Sequence, residues 1–175
     1  MPETDPIEVL MDEHRIIERV LAAVEMRLDS ATEGPFCADL FEQAIDFVRN
    51  FADGCHHLKE EQILFPELER RGIPREGGPI GVMLTEHDLG RSLIRTAEAR
   101  VPAARQGDQE AAREVVVNLR QFVQLLRDHI FKEDNVLFPM ARQVLRKEDW
   151  ANVSERFEQT ESPDHERYVE WARSL

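Results

Sequence analysis

The sequence predicts an all-α protein, an up-down-up-down four-helix bundle that is followed by a short helical C-terminal extension. Apolar residues recur every three or four positions along most of the chain, which is the period of an amphipathic helix. Alternating strand patterns are almost absent. Clusters of glycine and proline are few and short, so four long helices are joined by short connections. We expect the bundle to span residues 1–146 and the extension to span residues 147–175.

The first two helices are delimited by turn-forming residues. Helix one is expected to begin at Thr4-Asp5-Pro6, where an N-cap candidate precedes a proline that the first turn tolerates. Glu33-Gly34-Pro35 ends it. Helix two is expected over about 37–70, and the Gly- and Pro-rich segment 72–79 is the clearest loop in the chain.

The third and fourth helices follow that loop and are separated by Gly107-Asp108. Two short helices are expected in the tail from Lys147 onward, and Ser162-Pro163 is a start signal for the last of them. The apolar stripe of the third helix is Ile80, Met83, His87, Ile94 and Ala97, and that of the fourth is Leu119, Phe122, Leu126, His129, Glu133, Val136 and Met140.

Composition and charge exclude several classes of protein. The 175 residues are 42% hydrophobic and 33% charged, which suits one globular domain. The formal net charge of −13 argues against nucleic-acid binding, because that requires a basic surface. No apolar run is long enough for a membrane span, and the acidic N-terminus lacks a secretory signal. With two cysteines and no CxxC motif, we expect a cytoplasmic protein.

A short phrase occurs twice and carries most of the functional information. Residues 56–66 read HHLKEEQILFP and residues 129–139 read HIFKEDNVLFP, a constant offset of 73 (129 − 56 and 139 − 66). Each copy places a histidine four residues before a glutamate. On a helix these two side chains share one face, so an imidazole and a carboxylate can reach the same metal ion.

His14, His87 and His129 fall in the apolar stripes of their helices, and one copy of the phrase places His56 on the remaining helix. A lone histidine in such a stripe is usually a hydrogen-bonded core residue, but one on each of four helices, with two glutamates, is hard to satisfy without metal. Imidazole and carboxylate ligands suit iron, manganese or zinc. Structural zinc usually takes one closed tetrahedral set, so iron is favoured. The six candidates are His14, His56, Glu60, His87, His129 and Glu133.

The chain resembles the hemerythrin-like family, also called HHE cation-binding domains. The family pattern H…HxxxE…H…HxxxE reads His14, His56–Glu60, His87 and His129–Glu133 in this sequence, and the resemblance covers about residues 9–140. It implies a four-helix bundle with two iron ions joined by an oxo or hydroxo bridge and by the carboxylates of Glu60 and Glu133. Zinc or manganese are possible substitutes, and the implied ligand is O₂, nitric oxide or peroxide.

Two features depart from the family pattern. Dioxygen-carrying hemerythrins have HxxxH on the third helix, whereas the position four after His87 is Arg91. Simple oxygen carriage therefore becomes less favoured. The doublet His56-His57 also leaves the pair His57 and Glu61 as an alternative to His56 and Glu60. We favour the latter and include His57 as a supplementary ligand that replaces the missing one.

Residues beside these ligands have weaker signals. Glu13 and Glu86 are candidates for hydrogen bonds to a ligand imidazole, although a solvated face is the commoner role of such a glutamate. Arg91 is a candidate partner for a glutamate near the site. Cys55 is expected to be a small core residue and His165 to have a surface role.

Three functions remain open at this stage. The first is a di-iron protein that binds or senses O₂, nitric oxide, peroxide or iron. The second is an enzyme that consumes peroxide or nitric oxide, or an iron donor. The third is a metal-free helical interaction module. Family members that repair iron centres usually carry an extra N-terminal domain with cysteines, which we do not expect here because His14 lies close to the start. No nucleic-acid or membrane partner is expected, and no protein partner can be named.

Overall fold

The structure is a computed structural model that describes residues 5–30 and 36–175. Regular structure in these two ranges is helical, with no strand. Two of the six helices, α2 and α4, change locally between α- and π-helical hydrogen bonding. The helices are α1 (Pro6–Ser30), α2 (Ala38–Phe47, Val48–His57, Glu60–Leu64 and Phe65–Arg70), α3 (Pro79–Arg105), α4 (Gln109–Lys132, Glu133–Leu137 and Phe138–Val144), α5 (Lys147–Thr160) and α6 (His165–Ser174).

The predicted all-α class is confirmed, and the connections lie close to where the turn signals put them. The Asp5 carboxylate accepts a hydrogen bond of 2.9 Å from the Ile7 backbone N–H and so caps α1. Gly72 and Gly107 have φ values of 94° and 96°, a conformation that glycine adopts without strain, just after α2 and α3 end. Thr4 and the predicted break at Glu33-Gly34-Pro35 lie outside the described residues.

Segments of π-helix occur in both copies of the repeated phrase. They occupy Val48–His57 and Glu60–Leu64 in α2 and Glu133–Leu137 in α4. Such i→i+5 segments are rare and are often found at functional sites. A proline follows the Glu60–Leu64 segment. Because Pro66 has no N–H for the Gln62 carbonyl four residues earlier, that carbonyl accepts instead from the Arg156 side chain at 2.8 Å.

The π-segment in α4 makes one part of the predicted apolar stripe wrong. Val136 and Met140 were expected to face the core, but Val136 is 48% exposed and Met140 is half-buried. Leu137 and Ala141 are buried in their place. The expectation assumed a constant period of 3.6 residues, and the wider turn rotates the following side chains by one position.

The rotation can be tested with two truncations of neighbouring residues. We expect Leu137→Ala to lower the free energy of unfolding by about 2–5 kcal/mol, because it removes a buried side chain and leaves a cavity. Val136→Ala should change it by less than about 0.5 kcal/mol, because that side chain is already exposed. Urea denaturation of both metal-free variants measures the difference. Equal effects would contradict the helical phase described here.

The buried apolar residues form two clusters with the histidines between them. One cluster includes Ile17 and Leu126, and the other includes Leu10 and Leu137. His14 lies between Leu10 and Ile17 on α1, and the histidines of the other long helices are placed in the same way. A polar layer therefore crosses the bundle between two apolar regions.

The two C-terminal helices contribute to both apolar clusters. Phe157 of α5 belongs to the same cluster as Leu137, and Tyr168 of α6 belongs to the other. The Tyr168 hydroxyl donates a hydrogen bond of 3.0 Å to Asp46 of α2. The extension is thus held by buried contacts, and its boundary after residue 146 stays a prediction. None of the described helices is long and apolar enough to cross a membrane.

Asp149 fastens α5 to the end of α2. Its carboxylate accepts hydrogen bonds of 2.8 Å from Arg71 and from the Arg146 backbone N–H. These bonds hold the pKa of Asp149 below its usual value of 3.8. Because the folded pKa is depressed, the stabilisation is fully present above the unfolded pKa and is lost as the pH falls through the folded one.

This predicts a pH-dependent effect of Asp149→Asn. At pH 7 we expect the variant to be less stable than the wild type by about 1 kcal/mol, because a neutral amide forms weaker hydrogen bonds than a carboxylate and carries no charge for Arg71. The difference should shrink steadily from pH 5 to below pH 3. Denaturant titrations at several pH values provide the measurement, and a difference that does not depend on pH would refute the assignment.

Candidate metal centre

All seven predicted site residues converge in the polar layer at the middle of the bundle. They form two overlapping groups, and within each group one candidate ligand atom per residue lies within 4.8 Å of the others. Every one of these side chains is buried. The first group is His14, His56, Glu60 and Glu133, and the second is His57, Glu60, His87 and His129.

Glu60 and Glu133 lie between histidines of both groups. The Glu60 oxygens are each 3.5 Å from an Nε2 atom, one of His56 and the other of His87. The Glu133 oxygens lie 3.2 Å from His14 Nε2 and 3.3 Å from His129 Nε2. Each carboxylate therefore spans the two groups, as a ligand that bridges two ions would.

These buried atoms lack ordinary partners. Among the described residues, neither oxygen of Glu60 or Glu133 forms a hydrogen bond, and neither does His14 Nε2. His87 Nε2 and His129 Nε2 face each other at 3.0 Å. A buried polar atom without a partner costs several kcal/mol, and a charged one costs more. Cations held between these oxygens and nitrogens would satisfy them, so the residues fit a pair of metal ions.

The five imidazoles are all oriented in the same way. Each Nδ1 atom contacts a carboxylate, so each Nε2 atom is left to point toward the centre of the site. This carboxylate–imidazole arrangement is the one that fixes tautomer and ring orientation in metal-binding histidines. The pairs are His14–Asp134 at 2.7 Å, His56–Glu13 at 2.9 Å, His57–Asp53 at 3.3 Å, His87–Glu61 at 2.6 Å and His129–Glu86 at 2.9 Å.

A cationic side chain supports each of the orienting carboxylates. Arg91 binds both Asp53 and Glu61, at 2.8 Å and 2.6 Å. It occupies the position of the missing ligand and acts instead on the carboxylates behind two imidazoles. The other pairs are Arg15–Asp134, Lys59–Glu13 and Lys132–Glu86.

Protonation equilibria in this cluster are strongly perturbed. Burial and the charge of Glu133 raise the pKa of Glu60 well above its usual range. Burial acts on Glu133 too, but His129 and His14 together outweigh it and hold the Glu133 pKa well below its usual range. Burial lowers the pKa of His56 to about 4. In His129, burial is outweighed by Glu133, and the pKa is raised to about 9. Opposed shifts of neighbouring buried groups are typical of functional sites.

The offset of 73 residues extends through the site. It relates His14 to His87, Glu13 to Glu86, Lys59 to Lys132 and Glu61 to Asp134 (87 − 14, 86 − 13, 132 − 59 and 134 − 61 are all 73). The contacts follow the same relation, since His56–Glu13–Lys59 is matched by His129–Glu86–Lys132. The site therefore has two similar halves.

The two halves differ at a few positions. His57 has Ile130 as its counterpart (130 − 57 = 73), so the fifth histidine belongs to one half alone. His57 and His56 are adjacent, yet both are buried in the site. The π-helical turn that contains them widens the helix and lets neighbouring side chains share a face.

The structure also places the residues that the sequence left undecided. Glu60 is fully buried between the histidines, whereas the alternative Glu61 contacts His87 Nδ1 from outside. Cys55 is buried as expected. His165 is not a free surface residue, because it packs on the Phe51 ring and lies 3.8 Å from Cys55 Sγ. Two orienting carboxylates, Asp53 and Asp134, were not predicted from the sequence. The 73-residue offset, which pairs Asp134 with Glu61, was the available signal for the second.

A cavity of about 330 Å³ leads from the surface to one side of the site. His57, His87 and His129 form its floor, and exposed Arg49 lies at its mouth. His14 and His56 are not among the described residues that line it. Small molecules therefore have a direct route to one of the two ligand groups.

The fold and the site define a helical protein whose paired histidines and carboxylates are arranged to bind cations. The sequence model of the hemerythrin HHE cation-binding domain matches residues 5–141. The chain belongs to this family, which confirms the resemblance noted from the sequence. Family membership implies that the chain binds metal.

Curated proteins of two bacterial genera are similar to this chain. The uncharacterized proteins Mb2018 of Mycobacterium bovis and Rv1995 of Mycobacterium tuberculosis are each 30% identical over 173 residues, 97% of this chain and 65% of the relative. The iron-sulfur cluster repair protein YtfE of Yersinia pestis is 37% identical over 89 residues, 49% of this chain and 40% of the relative. The chain thus spans less than two thirds of the length of these relatives.

Proposed function

We propose that this protein binds two iron ions in its polar layer and uses them to bind or sense O₂, nitric oxide, peroxide or iron. The observation that carries the proposal is the common orientation of five imidazoles. Each is fixed from outside by a carboxylate, and their Nε2 atoms surround two buried carboxylates that have no hydrogen-bond partner in the described part of the chain. Nitrogen and oxygen ligands of this kind suit iron, with manganese or zinc as substitutes.

The proposed ligand sets differ in their number of histidines. His14 and His56 would hold one ion, and His57, His87 and His129 would hold the other. Glu60 and Glu133 would bridge the ions, as their positions between the two groups support. When bound, such a pair supplies redox chemistry and open positions for a small ligand. The protein orients the imidazoles and buries the two bridging carboxylates in the middle of the bundle.

We also propose the up-down-up-down arrangement for the four long helices. Ion pairs along α2 and α3 support it, because they join the start of one helix to the end of the other. Arg105 contacts Asp39 and Glu42, and further along, Arg91 contacts Glu61.

Iron loading tests the proposal. Apo protein is incubated anaerobically with ferrous iron, desalted, analysed for metal and then exposed to air. We expect about two irons per chain and new near-ultraviolet absorption from an oxo- or hydroxo-bridged pair. A bound metal should also raise the melting temperature by linkage, by roughly 5–10 °C at a hundredfold excess over the dissociation constant. If iron does not bind, or chelation leaves melting unchanged, the metal-free interaction module is the better reading.

A second candidate function is turnover of peroxide or nitric oxide, or donation of iron. The cavity that reaches one ligand group favours it, because a substrate needs access to the metal. The partial similarity to a protein named for iron-sulfur cluster repair also supports it. Steady-state consumption of peroxide and of nitric oxide by the iron-loaded protein decides the matter. Rates no greater than those of an equal amount of free iron would exclude the enzyme.

A further inference from the structure

The wall of the cavity beside the metal site contains a glycine at a position where the other half of the bundle has a larger residue. Gly90 lies in the cavity wall, one turn from His87. The offset that relates the two halves gives it Ile17 as counterpart (90 − 17 = 73), and that side chain is 1% exposed in the core. A Cβ atom at Gly90 would meet the Phe122 ring at 3.4 Å, an ordinary contact. Glycine therefore leaves room for a ligand and is not required by a tight approach of the backbone.

The cavity is larger than a diatomic ligand requires. Its 330 Å³ is about ten times the 30 Å³ that one water molecule occupies in the liquid. It lies at the lower end of the size range of small-molecule pockets. Its volume thus suits a molecule with several non-hydrogen atoms.

The walls of the cavity are divided by polarity. Ile94, Phe122 and Leu126 form an apolar surface above the floor of histidines. Arg91, also in the wall, is held by Asp53 and Glu61, so its charge is already matched. A ligand with a polar end on the floor and an apolar remainder against this surface would match both environments.

We propose that this cavity binds a small organic ligand whose polar end meets the metal position of His57, His87 and His129. An apolar remainder of a few carbon atoms lies against Ile94, Phe122 and Leu126. This proposal rests on the proposed function for its metal-binding end. Binding of the apolar remainder depends on the protein alone and not on metal, so the two ends of the ligand can be tested separately.

The first test uses iron-loaded protein with azide as the probe and formate and butyrate as competitors. Burial of each added carbon should tighten binding roughly fourfold, so butyrate should displace azide at a concentration at least tenfold below that of formate. Gly90→Ile copies the closed half and should weaken azide binding at least tenfold and abolish the preference for butyrate. Gly90→Ala is the matched control. Like Gly90→Ile it removes a glycine from the helix, but its side chain fills little of the cavity.

Iron content and melting temperature are measured first for all three proteins. If the wild type does not bind iron, the proposed function is wrong, whereas the proposal for the apolar end of the ligand is still tested by the second experiment. The second test then uses metal-free protein and 1-butanol, with nuclear magnetic resonance signals of Phe122 and Leu126 as the readout. We expect shifts in the wild type and in Gly90→Ala but not in Gly90→Ile.

Three results would overturn the proposal. One is a Gly90→Ile variant that binds azide and butyrate as the wild type does. Another is equal response of all metal-free proteins to 1-butanol. The third is a crystal structure of the azide complex in which azide is bound to the ion held by His14 and His56 and lies outside the cavity.

Discussion

Glu60→Gln is expected to abolish binding of at least one of the two irons while leaving the metal-free fold intact. In the metal-free protein, burial and the charge of Glu133 raise the pKa of Glu60 well above its usual range, which favours the neutral acid over the carboxylate. Glutamine has the same shape and the same charge as that neutral acid. The melting temperature of the apo protein should therefore change by less than about 2 °C. Iron content, measured after loading and desalting, should fall from about two to one or fewer.

Glu61→Gln is the matched control for this variant. The two residues are adjacent, and Glu61 contacts His87 Nδ1 rather than the centre of the site. Loss of such an orienting carboxylate typically weakens metal affinity by 10–100-fold without removing a ligand. We therefore expect two irons at saturation and weaker retention against a chelator. Equal iron content in both variants would refute the assignment of Glu60 as the bridging carboxylate.

The second large effect is expected from Lys59→Met. Lys59 is 1% exposed, donates to Glu13 and lies 5.8 Å from the centre of the Phe157 ring. Removing one member of a buried ion pair leaves its partner uncompensated, at a typical cost of 3–5 kcal/mol. Because Glu13 keeps its contact with His56, we expect about 3 kcal/mol and a fall in melting temperature of roughly 6–12 °C.

The related half of the site supplies the control. Lys132 contacts Glu86 in the same way but is 37% exposed. Solvent screens this pair, so Lys132→Met should cost less than about 1 kcal/mol. Thermal unfolding of both metal-free variants gives the comparison. Similar losses would show that burial does not distinguish the two lysines.

The sequence was sufficient to predict the helical class and the residues that meet at the centre. A histidine in the apolar stripe of three helices allows one inward direction for each of them, and the HxxxE spacing indicates the glutamates that can accompany a histidine. Only contacts within one helix are needed for these predictions. They placed His14, His87 and His129 correctly, but they could not separate the adjacent His56 and His57, because each has a glutamate four residues later.

Features that depend on several helices were harder to foresee. The partners Asp53 and Asp134 lie on exposed-looking positions of their own helices and become orienting groups only through a neighbouring histidine. The π-helical turns were not foreseen because the helical period was taken as constant. As a result, Val136 was predicted to be buried in the position that Leu137 occupies. No local pattern in the sequence reports such a widened turn.

The position of the ligands along the chain has a kinetic consequence. His14 and Glu133 are 119 residues apart (133 − 14), yet their atoms lie 3.2 Å from each other. One ion bound to both would staple the first helix to the fourth and close a long loop. Loop closure of this length removes much of the conformational freedom of an opened chain. Neither α1 nor α4 could then separate from the bundle before the ion dissociates, so the loaded protein should resist proteases far longer than its apo form.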